Sequence, residues 1–288
     1  MNIIDLIKQR HSVRSYTGQL LTPEQEHRLL DFVGATTSPF GGSVTIRLKA
    51  FDMRDGYKPS TYGMIKGAMN FFLIGMGSDE ESALSVGYRF EQVVLKALEL
   101  GLGTCWIAGT FKGSDFNRGE EWPAGEELKI ISPVGIPAKQ RLFEKVGRKV
   151  MGSDRRKPFG ELFFSHDFSS SLSPDSHFGE PLEMMRLAPS STNSQPWRAL
   201  VDGNTVHFYY VPKSAVSVLD CGIALCHFHL TQQYFNRPGS FFIATDAPAP
   251  PSSWRYLRSY REKRYSLIYF ASIKYQTGCC IQQMQHPV

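Results

Sequence analysis

The sequence predicts an α+β fold built from two related halves. Three observations lead there. Long apolar stripes at helical spacing, at 79–100 and 220–235, are interspersed with short strand-like runs at 44–51, 70–75, 128–136, 198–211 and 241–245. A small polar loop containing proline, followed by an alternating strand, occurs twice, at 34–52 and at 187–203. Between the copies, 165–174 is rich in serine and reads as a linker. The expected division is a first half over 1–164, a linker over 165–178, a second, shorter half over 179–265, and a tail over 266–288.

The elements follow from local chemistry. Ile3, Ile4, Leu6 and Ile7 give the first segment an apolar helical face. Thr22, Pro23 and Gln25 spell a helix start: a capping hydroxyl, proline in the first turn, and an amide at the third position that can return to the cap. The longest helix carries Leu84, Phe90, Val93, Val94, Ala97 and Leu98 on one stripe, and Gly101 is its natural left-handed stop. Asp202-Gly203-Asn204 interrupts the 198–211 run and predicts a hairpin turn. The basic-aromatic stretch 254–265 fits no element and reads as a frayed tail; binding nucleic acid is its remote alternative.

Composition narrows the class. A hydrophobic fraction of 42% supports a sizeable core, and 20% charged residues excludes a chain disordered throughout. The net charge of +5 suits a phosphate-bearing ligand but is too small to argue for nucleic acid. Cys105, Cys221, Cys226, Cys279 and Cys280 are odd in number and lack paired metal spacing, which fits a reducing, cytoplasmic setting. The amino-terminal residues lack a basic signal-peptide region, and the apolar runs are too short to span a bilayer, so no membrane role is expected. His227 and His229 are two apart and face different sides of a helix, so they read as packing or solvent contacts and not as metal ligands.

Four stretches could carry chemistry. Arg10 and Arg14 flank Ser12 at a helix exit; guanidinium forks and a hydroxyl suit phosphate oxygens, although a basic helix end also complements the helix dipole. Gly101, Gly103 and Gly109 surround Thr104-Cys105-Trp106-Ile107-Ala108, a corner where backbone could approach a flat ligand; the alternative is a packed helix-to-strand corner. Arg148, Lys149, Arg155, Arg156 and Lys157 form a charge run that is either a solvated face or part of a phosphate site. Finally, Pro189, Ser190, Ser191, Asn193, Gln195 and Pro196 concentrate hydrogen-bonding side chains between two prolines. They read as a rigid binding loop or as an ordinary cap and turn.

Together these stretches resemble the FMN-dependent nitroreductases. Arg10-His11-Ser12-Val13-Arg14 is similar to that family's amino-terminal "RRSxR", residues 188–197 to its "aPSxxNxQPW" loop, and 101–111 to its "GLGtcWigg" corner. Arg155-Arg156-Lys157-Pro158 resembles the basic segment after the last core strand. The resemblance implies a central, mostly antiparallel sheet flanked by helices. It implies FMN as cofactor, held by Arg10, His11, Ser12, Arg14, Arg155 and Arg156 at the phosphate end. Trp106, Ile107, Ala108 and Gly109 would line one side, and Pro189, Ser190, Ser191, Asn193 and Gln195 the other. No protein group is expected to be catalytic and no metal is expected, since flavin itself carries hydride from NAD(P)H to a nitroaromatic, quinone or similar conjugated acceptor.

Ordinary family members are homodimers in which the two loops reach one flavin from different subunits. Here the first half has only Thr37-Ser38-Pro39-Phe40 where the proline-serine loop belongs, and the good copy lies beyond the linker. The chain therefore resembles a fused pair, the subgroup called putative TM nitroreductases: a pseudo-dimer that is monomeric or a weak homo-oligomer. Ala108 stands where ordinary members often carry an acid. An FMN-binding protein without turnover, or other flavin chemistry such as fragmentation or reductive dehalogenation, is the alternative.

Overall fold

The computed structural model describes residues 1–51, 57–138 and 155–263. The first half runs α1 (Ile3–Gln9), α2 (Pro23–Ala35), β1 (Val44–Ala50), β2 (Asn70–Met76), α3 (Glu80–Glu99), β3 (Gly103–Thr104), α4 (Gly113–Phe116) and β4 (Glu127–Gly135). The second runs α5 (Phe159–Leu162), β5 (Phe163–Ser165), β6 (Asp167–Ser171), α6 (Gly179–Arg186), β7 (Trp197–Asp202), β8 (Thr205–Tyr210), α7 (Ser217–Tyr234), β9 (Gly239–Phe242) and β10 (Arg255–Glu262).

The sheets show the relation between the halves. One has strand order β1-β2-β4-β3, all antiparallel. The other contains β7-β8-β10-β9 in the same antiparallel order, so the two sheets match strand for strand. To its outer edge is added β5, parallel to β7, so the chain leaving the first half lies down on the sheet of the second.

Local signals act as the sequence suggests. Thr22 Oγ1 accepts from Gln25 N at 3.2 Å while Gln25 Oε1 accepts from Thr22 N at 3.0 Å, a reciprocal capping box. At the end of α3, Gly101 takes φ 75°, and Leu102 N donates to Ala97 O at 2.9 Å, closing the helix carbonyls. Asp202 pairs with Thr205 across a two-residue turn in which Gly203 has φ 57°.

The centre of the molecule is the crossing of α3 and α7, which share the largest apolar cluster. They approach so closely that a Cβ on Gly87 would lie 2.1 Å from Leu219 O, and one on Gly222 would lie 2.2 Å from Leu84 O. Gly222 corresponds to Gly87 and Leu219 to Leu84 at one and the same sequence offset. That reciprocity is the signature of a two-fold interface, here within one chain. Beside the crossing, Tyr88 Oη and His229 Nδ1 are 2.6 Å apart, and burial pushes His229 down to about 4.

Three readings of the sequence change. The stretch 254–263 is not a frayed tail: β10 is an inner strand between β8 and β9, with Leu257, Arg258, Ser259 and Tyr260 buried. The buried Arg258 is accommodated by Glu81 at 3.0 Å, and the exposed Arg261 lies 4.8 Å over the Phe242 ring. The serine-rich stretch carries edge strand β6, started by Asp167, whose carboxylate accepts from Ser169 N and Ser170 N. Strand β9 ends at Phe242, short of the expected Thr245. Arg148, Lys149 and the tail 266–288 lie outside the described residues.

Candidate functional site

After α1 the backbone turns extended, and Ser12 bridges Thr104 in parallel, with Val13 N donating to Thr104 O at 2.8 Å. Alternation along an extended chain sends Arg10, Ser12 and Arg14 to one side and Val13 to the other. The first three converge on Cys105, whose thiol is pushed up by burial and eased back by Arg14, a Ser12 hydrogen bond and Arg10. Among the described residues Arg14 has no acidic partner, and Arg10 Nε is buried without a hydrogen-bond partner. His11 does not join them. It is exposed, and its Nδ1 lies 3.0 Å from Gln9 O.

The glycine corner packs against this strand. A Cβ on Gly103 would strike the Val13 side chain at 2.6 Å, so this glycine admits the protein's own strand and not a ligand. Ile107 is buried, and its N–H donates to Ile131 O at 3.0 Å, which removes that amide from the expected ligand edge. Trp106 turns its indole N–H to Glu91 Oε2 at 2.8 Å. Ala108 and Gly109 remain exposed beyond it, with open space around Gly109.

The loop after α6 is conformationally costly. Thr192, Asn193 and Gln195 have φ of 50°, 55° and 46°, a left-handed region that non-glycine residues rarely occupy. The surroundings hold it there. Gln195 Oε1 accepts from Lys157 N at 2.8 Å, and Asn193 Nδ2 donates to Arg155 O at 2.7 Å. Arg156 donates to Asn193 Oδ1 and to Leu187 O, each at 3.2 Å. Ser190 Oγ accepts from Gln195 N at 2.9 Å. The basic segment thus reaches the loop, with Arg155 contributing its carbonyl.

Two carboxylates that the sequence reading passed over tie the pieces together. Asp220 accepts Ser191 N at 3.1 Å on both oxygens, fixing the loop to the start of α7. Glu91, fully buried on α3, takes the Trp106 indole on one oxygen; on the other it has His227 Nε2 at 2.9 Å and Arg10 Nε at 3.7 Å. His227 Nδ1 lies 3.1 Å from Met184 O, so each ring nitrogen has an oxygen within hydrogen-bond distance. Asp220 and His227 stand two helical turns apart on one face of α7, about 10 Å. One helix therefore holds the proline-serine loop at one point and the arginine strand, through Glu91, at another. The available signal was a lone acid inside each apolar helical pattern.

Burial pushes the Asp220 carboxyl up to about 7, against the pull of the Ser191 amide. An acid raised in the folded state binds its proton more tightly there, so its contribution favours folding at low pH and is lost as pH rises. Unfolding free energy is expected to fall by up to about 4 kcal/mol between pH 4 and pH 7 from this group. Asp220→Asn, which keeps an acceptor for Ser191 N, should flatten that slope in denaturant titrations at several pH values.

Two guanidiniums beside a hydroxyl, one of them (Arg14) without an acidic partner among the described residues, fit an anionic group such as a phosphate. Among the described residues no helix is long and apolar enough to cross a membrane. The family described as Putative TM nitroreductase matches residues 2–232. The fold is similar to the crystal structure of a putative nitroreductase from Thermotoga maritima MSB8, with 20% identity, TM-score 0.58, and coverage of 91% of this chain and 93% of that one. Weaker similarity extends to an FMN-dependent nitroreductase from Clostridium difficile R20291, with 18% identity, TM-score 0.41, and coverage of 48% and 89%. A NADH dehydrogenase/NAD(P)H nitroreductase from Bacteroides thetaiotaomicron VPI-5482, titled putative, has 19% identity, TM-score 0.39, and coverage of 48% and 88%. No curated protein matches the chain. With the family match spanning both loops, the glycine corner and most of α7, the chain belongs to the Putative TM nitroreductase family.

Proposed function

We propose that this chain is a pseudo-dimer binding FMN, an oxidoreductase that accepts hydride from NAD(P)H and reduces nitroaromatic, quinone or similar conjugated acceptors. The observation that carries the reading is the pair Arg10 and Arg14 with Ser12 between them: Arg14 has no acidic partner among the described residues, and the strained loop is tied through Asp220 to the same helix that reaches Arg10 through His227 and Glu91. Arg10 and Arg14 would bind the phosphate as charged donors, and Ser12 would add a hydroxyl. Ala108 and Gly109 would lie along one side of the ring system, and Pro189, Ser190 and Ser191 along the other. Bound FMN supplies the two-electron chemistry. The chain's residues bind it, orient it and shield one face from water.

Full-length protein incubated with FMN should bleach its flavin absorption under NADH or NADPH without oxygen, and recover it on adding a quinone. Absence of bleaching with either nucleotide would end the proposal. Arg14→Ala should weaken FMN binding by about 1.5 to 3 kcal/mol, the cost of a charge-assisted contact, roughly 10- to 100-fold in Kd. Fluorescence titration measures it, with the unfolding midpoint as control.

A further inference from the structure

The first half's loop meets the corner of the second half, with the Phe40 and Phe241 ring centroids 4.9 Å apart. Gly239-Ser240-Phe241-Phe242-Ile243-Ala244 parallels Gly103-Thr104-Cys105-Trp106-Ile107-Ala108, and it follows α7 as the latter follows α3. Across from it lies the first half's Ser38-Pro39-Phe40. Ser38 Oγ and Ser85 Oγ are 2.7 Å apart, and Ser85 stands two residues before Gly87 as Asp220 does before Gly222. This is the counterpart of the Ser191–Asp220 anchor. Beside the Phe40–Phe241 contact is a cavity of about 300 Å³, lined by Pro39, Phe40, Phe241, Phe242 and Ile243. Its polar end is the Arg258–Glu81 pair at 3.0 Å.

We propose that this cavity is a second binding site, specific for small, uncharged, planar aromatic molecules bearing a carboxamide-type edge. The walls select the shape: aromatic rings and a proline favour a flat apolar body. Phe241 and Phe242 occupy the places of Cys105 and Trp106, so the space suits a ring system smaller than flavin. The charges select the edge. Among the described residues, Arg258 and Glu81 are the ionic side chains lining the cavity, and together they are neutral, so a ligand carboxylate or phosphate would face Glu81 unfavourably. A guanidinium offers donors and a carboxylate accepts; a carboxamide supplies one acceptor and one donor to match. Ile243, 65% exposed, forms the open rim through which a ligand enters. The site stands independently of the flavin reading.

The test titrates the full chain with 2-naphthamide and, separately, 2-naphthoate, followed by calorimetry or ligand-observed NMR. The amide should bind about tenfold or more tightly than the acid, the scale of one unmatched buried polar contact. Ile243→Asp, a change at an exposed rim residue, should weaken amide binding about tenfold with an unaltered unfolding midpoint and unaltered FMN affinity. Saturating FMN should leave amide binding unchanged. No amide binding, equal affinity for amide and acid, indifference to Ile243→Asp, or displacement by FMN would each overturn the proposal.

Discussion

Glu91→Ala is expected to lower the unfolding free energy by about 3 to 5 kcal/mol and to weaken flavin binding together with it. The carboxylate is fully buried and serves three donors from three parts of the chain: the Trp106 indole, His227 Nε2 and, as an ion pair, Arg10. Removing it leaves the Arg10 guanidinium buried without its counter-charge and the His227 ring and Trp106 indole without their hydrogen-bond partner. Glu91→Gln keeps an acceptor for one donor but loses the charge, and should cost less, about 1.5 to 3 kcal/mol. Replacing both Glu91 and His227 by leucine tests the pair itself. If the pair contributes little beyond satisfying its own buried polar groups, the double variant should recover much of the stability lost by Glu91→Ala. Flavin affinity should stay low in that double variant, because Arg10 has still lost its acidic neighbour. Denaturant unfolding and flavin titration on the same proteins separate the two effects. A Glu91→Ala chain as stable as the parent would show that the buried cluster does not form.

What the sequence revealed and what it hid divide by range. The capping box at Thr22, the left-handed stop at Gly101 and the turn at Gly203 each rest on partners within a few residues, so local sequence sufficed. The proline-serine loop was also legible, because its polar residues are contiguous. Strand β10 was not, since the side chains that make its arginines acceptable, Glu81 and Phe242, come from distant elements. Glu91 and Asp220 looked like single acids on helices. Glu91 acquires meaning from Arg10, Trp106 and His227, the last brought to it by the α3–α7 crossing. The sheet also reassigned His11 and Ile107. Once Ser12 bridges Thr104, the residue next to Ser12 faces outward, and pairing with Ile131 consumes the amide that motif similarity had assigned to a ligand.

The same crossing sets the other large expected effect. Gly87→Ala and Gly222→Ala should each destabilise the protein by about 3 kcal/mol, although alanine in a helix interior is normally favoured over glycine by about 1 kcal/mol. The sign reverses because the new methyl group would meet backbone, not a movable side chain. At Gly87 it would face Leu219 O at 2.1 Å and Ile223 N at 2.8 Å, and at Gly222 it would face Leu84 O at 2.2 Å. No rotamer relieves such contacts, so the helices must separate and the apolar cluster between them must loosen. Gly34→Ala, in α2 with no atom within 4 Å of the added carbon, is the matched control and should be neutral or slightly stabilising. The double variant is the sharper test. Both glycines serve one contact, and once the first alanine has pushed the helices apart the second has little left to disturb. The double variant should therefore lose clearly less than the sum of the two single losses, whereas independent sites would add. Additive losses would mean that each glycine answers to its own local surroundings. Sub-additive ones would mean that the two halves are docked through a single shared crossing.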